Sequence, residues 1–420
     1  MSEFSFERIS IIGLGYIGLP TAAMFASRNV QVLGVDVNKH VVDTINRGEI
    51  HIVEPDLDEV VKSVVESGFL KAAIAPEPSD AFLIAVPTPF KGDQHDPDLS
   101  FIEAAALAIA PVLQPGNLVI LESTSPVGAT EDMAAWLEKA RPDLTFPQSE
   151  GEASDIRIAH CPERVLPGKV LQELVTNDRI LGGITPACSK AAKCLYEVFV
   201  EGDCVITDTR TAEMCKLTEN SFRDVNIAFA NELSVICDKI GVNVWELVQL
   251  ANRHPRVNIL QPGPGVGGHC IAVDPWFIVS RTPNEARLIA TAREVNDAKP
   301  DWVIEKVYEA VGRQLVDNPN VRAHEISLAI YGLSFKPDVD DLRSSPALEI
   351  ARRISADYPG EILTVEPNIQ ELPEGLRKTS LVTFEQALSA DIHIMLVDHE
   401  LFRSQAKPKG QIVDLRGVWG

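Results

Sequence analysis

No apolar run in this chain approaches the ~20 residues that span a bilayer, and the N-terminal MSEFSFERIS is polar and acidic where a secretory leader would be apolar. Neither a membrane-spanning nor an exported protein is expected. Seven cysteines, an odd number without a C-x-x-C pair, argue against a disulfide framework and against a zinc ribbon. A reducing cytoplasm is the natural setting. Basic residues are in deficit: 38 Lys and Arg against 60 Asp and Glu leave a net charge of −22. That balance speaks against nucleic acid or an anionic membrane as a partner, since both need a basic face. Any anion site must be built from locally gathered Lys and Arg.

Low-complexity tracts are also missing, and 45% hydrophobic with 23% charged residues is an ordinary globular composition. The 420 residues exceed one compact core; at ~100–200 residues per domain, two or three units are expected. Apolar runs at Ile9–Ile12, Val30–Val37, Ala81–Val86, Leu118–Glu122 and Ile156–His160 alternate with helical stretches. This is the pattern of a doubly wound α/β domain with a parallel sheet, extending to about residue 205. The pattern then changes. Met214, Leu217, Phe222, Ile227, Leu233, Ile236 and Ile240 recur at helical spacing, so Thr211–Ile240 reads as one long helix. Val244–Ala251 and Glu285–Asn296 read as further helices, making residues 206–300 an all-helical connector suited to subunit contact. A helix at Trp302–Leu315 opens a second Rossmann-like α/β domain over 301–420, with strands at Ile326–Tyr331, Glu361–Val365, Asp391–Leu396 and Gln411–Asp414. The two α/β halves share an architecture, but no repeated sequence is visible.

Gly13-x-Gly15-x-x-Gly18, enclosing Tyr16 and Ile17, lies between the first strand and a helix, and Asp36 ends the second strand. The first glycine allows a tight turn, the second close approach to a pyrophosphate, the third helix–strand packing. Amides at the helix start suit the anion. An acid on the ribose hydroxyls would repel a 2′-phosphate, so NAD is expected in preference to NADP. Thr88 and Thr124 follow predicted strands, where they could line a nicotinamide site or start the next helices.

A second glycine-rich loop, Gly263-Pro-Gly-Val-Gly-Gly-His-Cys270, ends on a cysteine and leads into no long helix. Glycines there would let a substrate carbon reach the sulfur of a nucleophilic Cys270; an inert buried thiol is the bland alternative. His269, Cys270 and Asp274 could suggest a metal, but a second ligand pair is missing and none is expected. Lys216 and Asn220 are four apart and share a helix face, with Arg223 a turn further on. Lys216 could transfer a proton or steady an oxyanion. Glu163, in HCPERVLPG, follows a predicted strand end, where α/β active sites collect. Cys161 is a rival nucleophile without a glycine-rich approach.

Taken in order, IGLGYIGLP, IAVPTPF, ESTSPVG, CPERVLPG, TAEMCKLTENSFRDVNIAFANE, NRHPRVNILQPGPGVGGHCIAVDP and YGLSFKPDVDDLRSSPALEI make the chain resemble the UDP-glucose/GDP-mannose dehydrogenase family along nearly its whole length. The resemblance implies four-electron, NAD-dependent oxidation of the C6 hydroxymethyl of a UDP-linked sugar. It implies an NAD-binding first domain, a homodimer built on the central helices, and a last domain for the UDP moiety. On this pattern Cys270 is the nucleophile, Lys216 the acid/base, Asn220 and Asp274 further active-site groups, and Glu163 a glutamate of thioester hydrolysis. Arg164, Val165, Arg223, His254, Arg256 and Gly267 would contact the sugar nucleotide, with Lys336 and Arg343 closing over it. Val273 and Pro167 depart from the Lys and Glu of the UDP-glucose branch and, with NRHPRV, indicate an N-acetylhexosamine branch. The expected substrate is UDP-N-acetylmannosamine, with UDP-N-acetylglucosamine or UDP-glucose as alternatives. A two-electron hydroxyacid dehydrogenase of the 6-phosphogluconate type, an NAD-dependent epimerase and a non-catalytic sugar-nucleotide sensor are the competing readings. The first has no use for Cys270, the second would release no NADH, and the third has no need of Lys216.

Overall fold

The computed structural model describes residues 4–92, 95–166, 168–268 and 270–419. The chain divides into two compact units, Met1–Glu219 with Trp276–Thr282 and Asn220–Pro275 with Pro283–Gly420. The division falls inside the helix Thr209–Ile240, which gives its first residues to one unit and the rest to the other.

In the first unit the strands are β1 (Arg8–Ile12), β2 (Gln31–Val35), β3 (Leu70–Ala73), β4 (Ala81–Ile84), the short hairpin of β5 (Phe90–Lys91) and β6 (Asp96–Pro97), β7 (Leu118–Leu121), β8 (Arg157–His160), β9 (Arg179–Gly183) and β10 (Cys204–Asp208). All but the hairpin form one sheet in the order β10-β9-β8-β7-β4-β1-β2-β3. Its inner strands are buried on both faces, so AFLI and LVIL read as unbroken apolar runs. Ile9 and Ile11 pack into one side layer and Ile12 into the other. Pairing is parallel throughout except between β8 and β9, which run antiparallel. The sequence pattern missed β3, β9 and β10. Lys71 interrupts the first, two glycines close the second, and the third is an edge strand with a largely exposed CVITD.

The second unit holds the helix Val244–Ala251, the long helix Arg287–Asp317 and a sheet of β11 (Leu328–Tyr331), β12 (Ile362–Val365), β13 (Thr379–Leu381), β14 (Ile392–Met395) and β15 (Gln411–Asp414). This sheet is wholly parallel in the order β13-β12-β11-β14-β15. Two separate helices were expected on either side of Pro300, but one helix runs through it. An internal proline costs about 3 kcal/mol. Burial on both sides of it offsets that cost: Val303, Val307 and Ala310 enter the core, and Lys299 donates to Ser234 Oγ at 2.5 Å beneath the Trp302 ring. The fold is thus two Rossmann-like α/β sheets joined by helices.

The two halves share more than an architecture: the turn after the first strand of each sheet is built alike. Gly13 and Gly332 both hold positive φ, +94° and +87°. Each is followed by a leucine whose N–H donates to the acid ending the second strand, Leu14 to Asp36 at 3.0 Å and Leu333 to Glu366 at 2.7 Å. Asn38 and Asn368, two residues beyond each acid, donate to its other oxygen. The echo escapes a sequence reading because Asp is matched by Glu and only the turn residues recur.

Candidate active site

The first glycine-rich turn fits a dinucleotide by its own sterics. A Cβ on Gly13 would lie 2.5 Å from Ala85 O, and one on Gly18 would lie 1.8 Å from Gly13 O, so both are required by packing. A Cβ on Gly15 meets nothing within 4 Å. That glycine leaves room for a group outside the chain, as a pyrophosphate on the turn needs. The helix Gly18–Ser27 begins at Ile17 without a side-chain cap, beside a half-exposed Tyr16. Asp36 is anchored by the Leu14 and Asn38 amides at the end of β2. Thr88 and Thr124 are brought together, the Thr88 hydroxyl donating to Thr124 O at 2.5 Å, while Ser123 bonds both the N–H and C=O of Val86.

Along the helix Thr209–Ile240, Glu213 caps the helix Ala129–Ala140 by accepting from Gly128 N, Thr130 N and Thr130 Oγ1. Burial raises this carboxyl above its usual range although those bonds oppose it. Lys216 is half-buried and Arg223 exposed. Asn220 is buried and donates to Asp274 Oδ2 at 2.5 Å. Asp274 opens the helix Asp274–Arg281, and its N–H bonds back to the carbonyl of Cys270, whose side of the loop is exposed. The Cys270 loop is pinned at both ends. Gly263 N donates to Asn231, which donates to Asn296; Arg293, ion-paired with Asp224 at 2.7 Å, reaches Ile271 O.

The loop glycines have a packing cause that the sequence does not show. A Cβ on Gly267 would lie 2.5 Å from Ser344 O, and Gly265 and Gly268 face Pro346 and Phe335, so these positions are bare because the loop packs on residues 335–346. His269 and Pro167 lie outside the described residues. Cys161 is fully buried, and burial pushes its thiol up to about 12, which removes it as a nucleophile at neutral pH.

Glu163 is buried and uses both oxygens, one accepting from Arg164 N at 2.6 Å and the other from Arg179 at 2.7 Å. Arg164 pairs with Glu219 and Val165 packs on the core. His254 and Arg256 are exposed, with Arg256 N donating to His254 Nδ1. Lys336 and Arg343 follow β11; Lys336 is half-buried beside Phe335, and Arg343 forms a bidentate pair with Asp341. Sequence reasoning missed Arg179, Glu213, Asp224, Asn231 and Arg293. A usable signal existed for the helix: Asp224 and Asn231 are polar residues seven apart on a buried stripe, and Glu213 lies one turn before Lys216.

Models of the UDP-glucose/GDP-mannose dehydrogenase family match three stretches: its NAD binding domain over residues 7–200, its central domain over 210–298 and its UDP binding domain over 329–420. The chain belongs to this family. It is an oxidoreductase of the nucleotide-sugar dehydrogenase class with an NAD-binding domain. A UDP-N-acetyl-D-mannosamine dehydrogenase of Yersinia pestis is 65% identical over 99% of this chain and 100% of that protein. An NDP-N-acetyl-D-galactosaminuronic acid dehydrogenase of Ralstonia solanacearum is 62% identical over 99% of this chain and 97% of its own. Among solved structures, the UDP-D-ManNAc dehydrogenase of Pyrococcus horikoshii superposes with a TM-score of 0.86 at 39% identity, covering 98% of this chain and 96% of that one. Among the described residues no helix is long and apolar enough to cross a membrane, and no group of three or more His, Cys, Asp or Glu could hold a metal.

Proposed function

We propose that the chain oxidises UDP-N-acetyl-D-mannosamine at C6 to UDP-N-acetyl-D-mannosaminuronate, for a surface polysaccharide such as enterobacterial common antigen. The observation that carries this reading is the exposed Cys270 thiol at the start of the Asp274 helix, in a chain 65% identical end to end to an enzyme of that name. Residues 1–205 would hold NAD, 206–300 the dimer contact and 301–420 the UDP moiety, in a reducing cytoplasm that suits seven cysteines without a disulfide.

Lys216 takes the C6 hydroxyl proton as the alcohol becomes an aldehyde. NAD, held by the Gly13–Gly18 turn and Asp36, supplies the hydride acceptor for each of the two oxidations. An aldehyde has no alkoxide from which a second hydride can leave, so the Cys270 thiolate adds to it and creates one. Asn220, its amide held by the Asp274 carboxylate, steadies that oxygen as the thiohemiacetal becomes a thioester. Water directed by Glu163 adds to the thioester carbonyl, the C–S bond breaks and the thiolate returns. Overall, one alcohol, two NAD and one water give one carboxylate, two NADH and three protons. Lys336 and Arg343 would neutralise the diphosphate, Arg343 by exchanging its Asp341 partner for phosphate.

The 62% identical Ralstonia relative supports a second substrate reading, a UDP-sugar with the galacto configuration. The test is NADH released per sugar with UDP-N-acetylmannosamine, run beside UDP-N-acetylgalactosamine, UDP-N-acetylglucosamine and UDP-glucose. Two NADH with the first sugar preferred supports the proposal. One NADH per sugar discards the Cys270 route, and two from another sugar keeps the chemistry and moves the substrate.

A further inference from the structure

Beneath the loop that carries Glu163 lies a buried polar layer for which the reaction scheme so far has no use. Arg179, 3% exposed, ion-pairs with Glu163 at 2.7 Å and places its guanidinium 5.3 Å from the centre of the Tyr196 ring. The Tyr196 hydroxyl donates to Glu122 Oε1 at 2.6 Å, and Glu122 Oε2 has no hydrogen-bond partner among the described residues. Glu122 directly precedes Ser123 and Thr124 at the end of β7. The contacts therefore run in one line, Glu163 to Arg179 to Tyr196 to Glu122.

The single antiparallel pairing in the sheet makes this line possible. His160 pairs with Gly182 and Ala159 with Gly183, so continuing the register brings the start of β9 beside the residues that follow β8. A parallel strand would present its carboxyl end there instead. Reversal of β9 delivers Arg179, its first residue, to Glu163.

One cation then serves two buried carboxyls. Burial pushes the Glu122 carboxyl up to about 7, and the nearby charge of Glu163 acts in the same direction. Below that pH Glu122 is protonated, and Arg179 is left to Glu163 alone. A buried ion pair is poor evidence of stability, since desolvation offsets much of its attraction. Its value here lies in what it fixes.

We propose that Arg179 is the positioning residue that holds Glu163 in one orientation for the hydrolytic half of the reaction. This rests on the reading of Glu163 as the group that directs water. In that step an O–C bond forms between water and the thioester carbon as the C–S bond breaks. One water proton passes to the Glu163 carboxylate, and the Cys270 sulfur leaves as thiolate. No oxidant or reductant is consumed.

The experiment is rapid mixing of enzyme with excess NAD and UDP-N-acetylmannosamine, following NADH through the burst and the turnover that follows it. Glu163→Gln should release two NADH per site and then stall at the thioester. Arg179→Met should give the same burst with hydrolysis slowed about 10- to 100-fold, the range a misplaced catalytic group produces. Arg179→Lys, which keeps a cation against Glu163, should restore most of the rate. Wild-type hydrolysis in Arg179→Met, with Glu163→Gln stalled, overturns the inference and leaves the Glu163 reading standing. Wild-type hydrolysis in Glu163→Gln overturns that reading itself. Should Arg179→Met fail to fold, the Glu163→Gln/Arg179→Met pair removes both charges; hydrolysis equal to that of Glu163→Gln supports action through Glu163, and a further fall overturns it.

Discussion

The amide of Asn220 donates to the carboxylate of Asp274 at 2.5 Å, joining two buried residues 54 positions apart in the sequence. Asp274 begins the helix that follows Cys270, so this bond fixes the helix start against the long helix. Asp274→Asn should weaken a charge-assisted bond and lower NADH production about 10- to 100-fold. Steady-state rates with both half-reactions measured, using the aldehyde for the second, check this. Undiminished rates in both halves would remove the pair from the site.

Gly15 and Gly18 should respond in opposite ways to the same added methyl. Gly18→Ala places a Cβ against Gly13 O and should yield an unstable or insoluble protein. Gly15→Ala meets open space, so the fold should survive while NAD binds about 10-fold or more weakly. Thermal melting with and without NAD separates the two, and a Gly15→Ala protein with wild-type NAD affinity would contradict the pyrophosphate placement.

Arg293 is 2% exposed and Asp224 fully buried in their ion pair. Arg293→Leu leaves Asp224 uncompensated and should cost about 3–5 kcal/mol in urea unfolding. Arg293→Leu/Asp224→Asn should recover part of it. A loss under about 1 kcal/mol would mean the pair does not anchor the Cys270 loop.

Glu122 sets a sign for pH. Its carboxyl is raised from 4.5 to about 7, chiefly by burial, so the folded chain keeps a proton that the unfolded chain releases between those values. Stability contributed by this group is present below the unfolded value and is lost as pH rises through that window, by on the order of 3 kcal/mol. Glu122→Gln should flatten this slope in urea midpoints taken at about pH 5 and about pH 8. An unchanged slope would assign the titration elsewhere.

Phe222, Phe229 and Ile236 lie seven apart on the long helix and are 69%, 52% and 45% exposed in the single chain. A stripe at that spacing suits the seam of a helix pair, and the proposed dimer would cover it with a second copy of the chain. Phe229→Glu should sediment as a monomer at concentrations where the parent is a dimer. A parent that sediments as a monomer would refute the dimer.

Much of this was legible in the residues because the decisive signals are local. The Gly13–Gly18 turn, Asp36 and the helix carrying Lys216 and Asn220 each announce themselves within a few residues of a strand or a helix face. Arg179 did not, since its role depends on β9 reversing beside β8, a pairing between segments that no periodicity reveals. The packing need for glycine at 265, 267 and 268 is not legible either, because the atoms that forbid a side chain there belong to Phe335, Ser344 and Pro346, far away in sequence. Pro300 misled by local rule, its helix held together by burial on both sides.

The two matching turns carry one open clasp and one closed one. Asp36 stands half-exposed at its strand end. Glu366, its twin, has a side chain wholly withdrawn from solvent, with Leu333, Ser334 and the buried His399 all on the same oxygen. An adenosine ribose that found the second sheet would meet an acid already latched. The same turn thus leaves its acid open to solvent on the first sheet and spends it within the chain on the second.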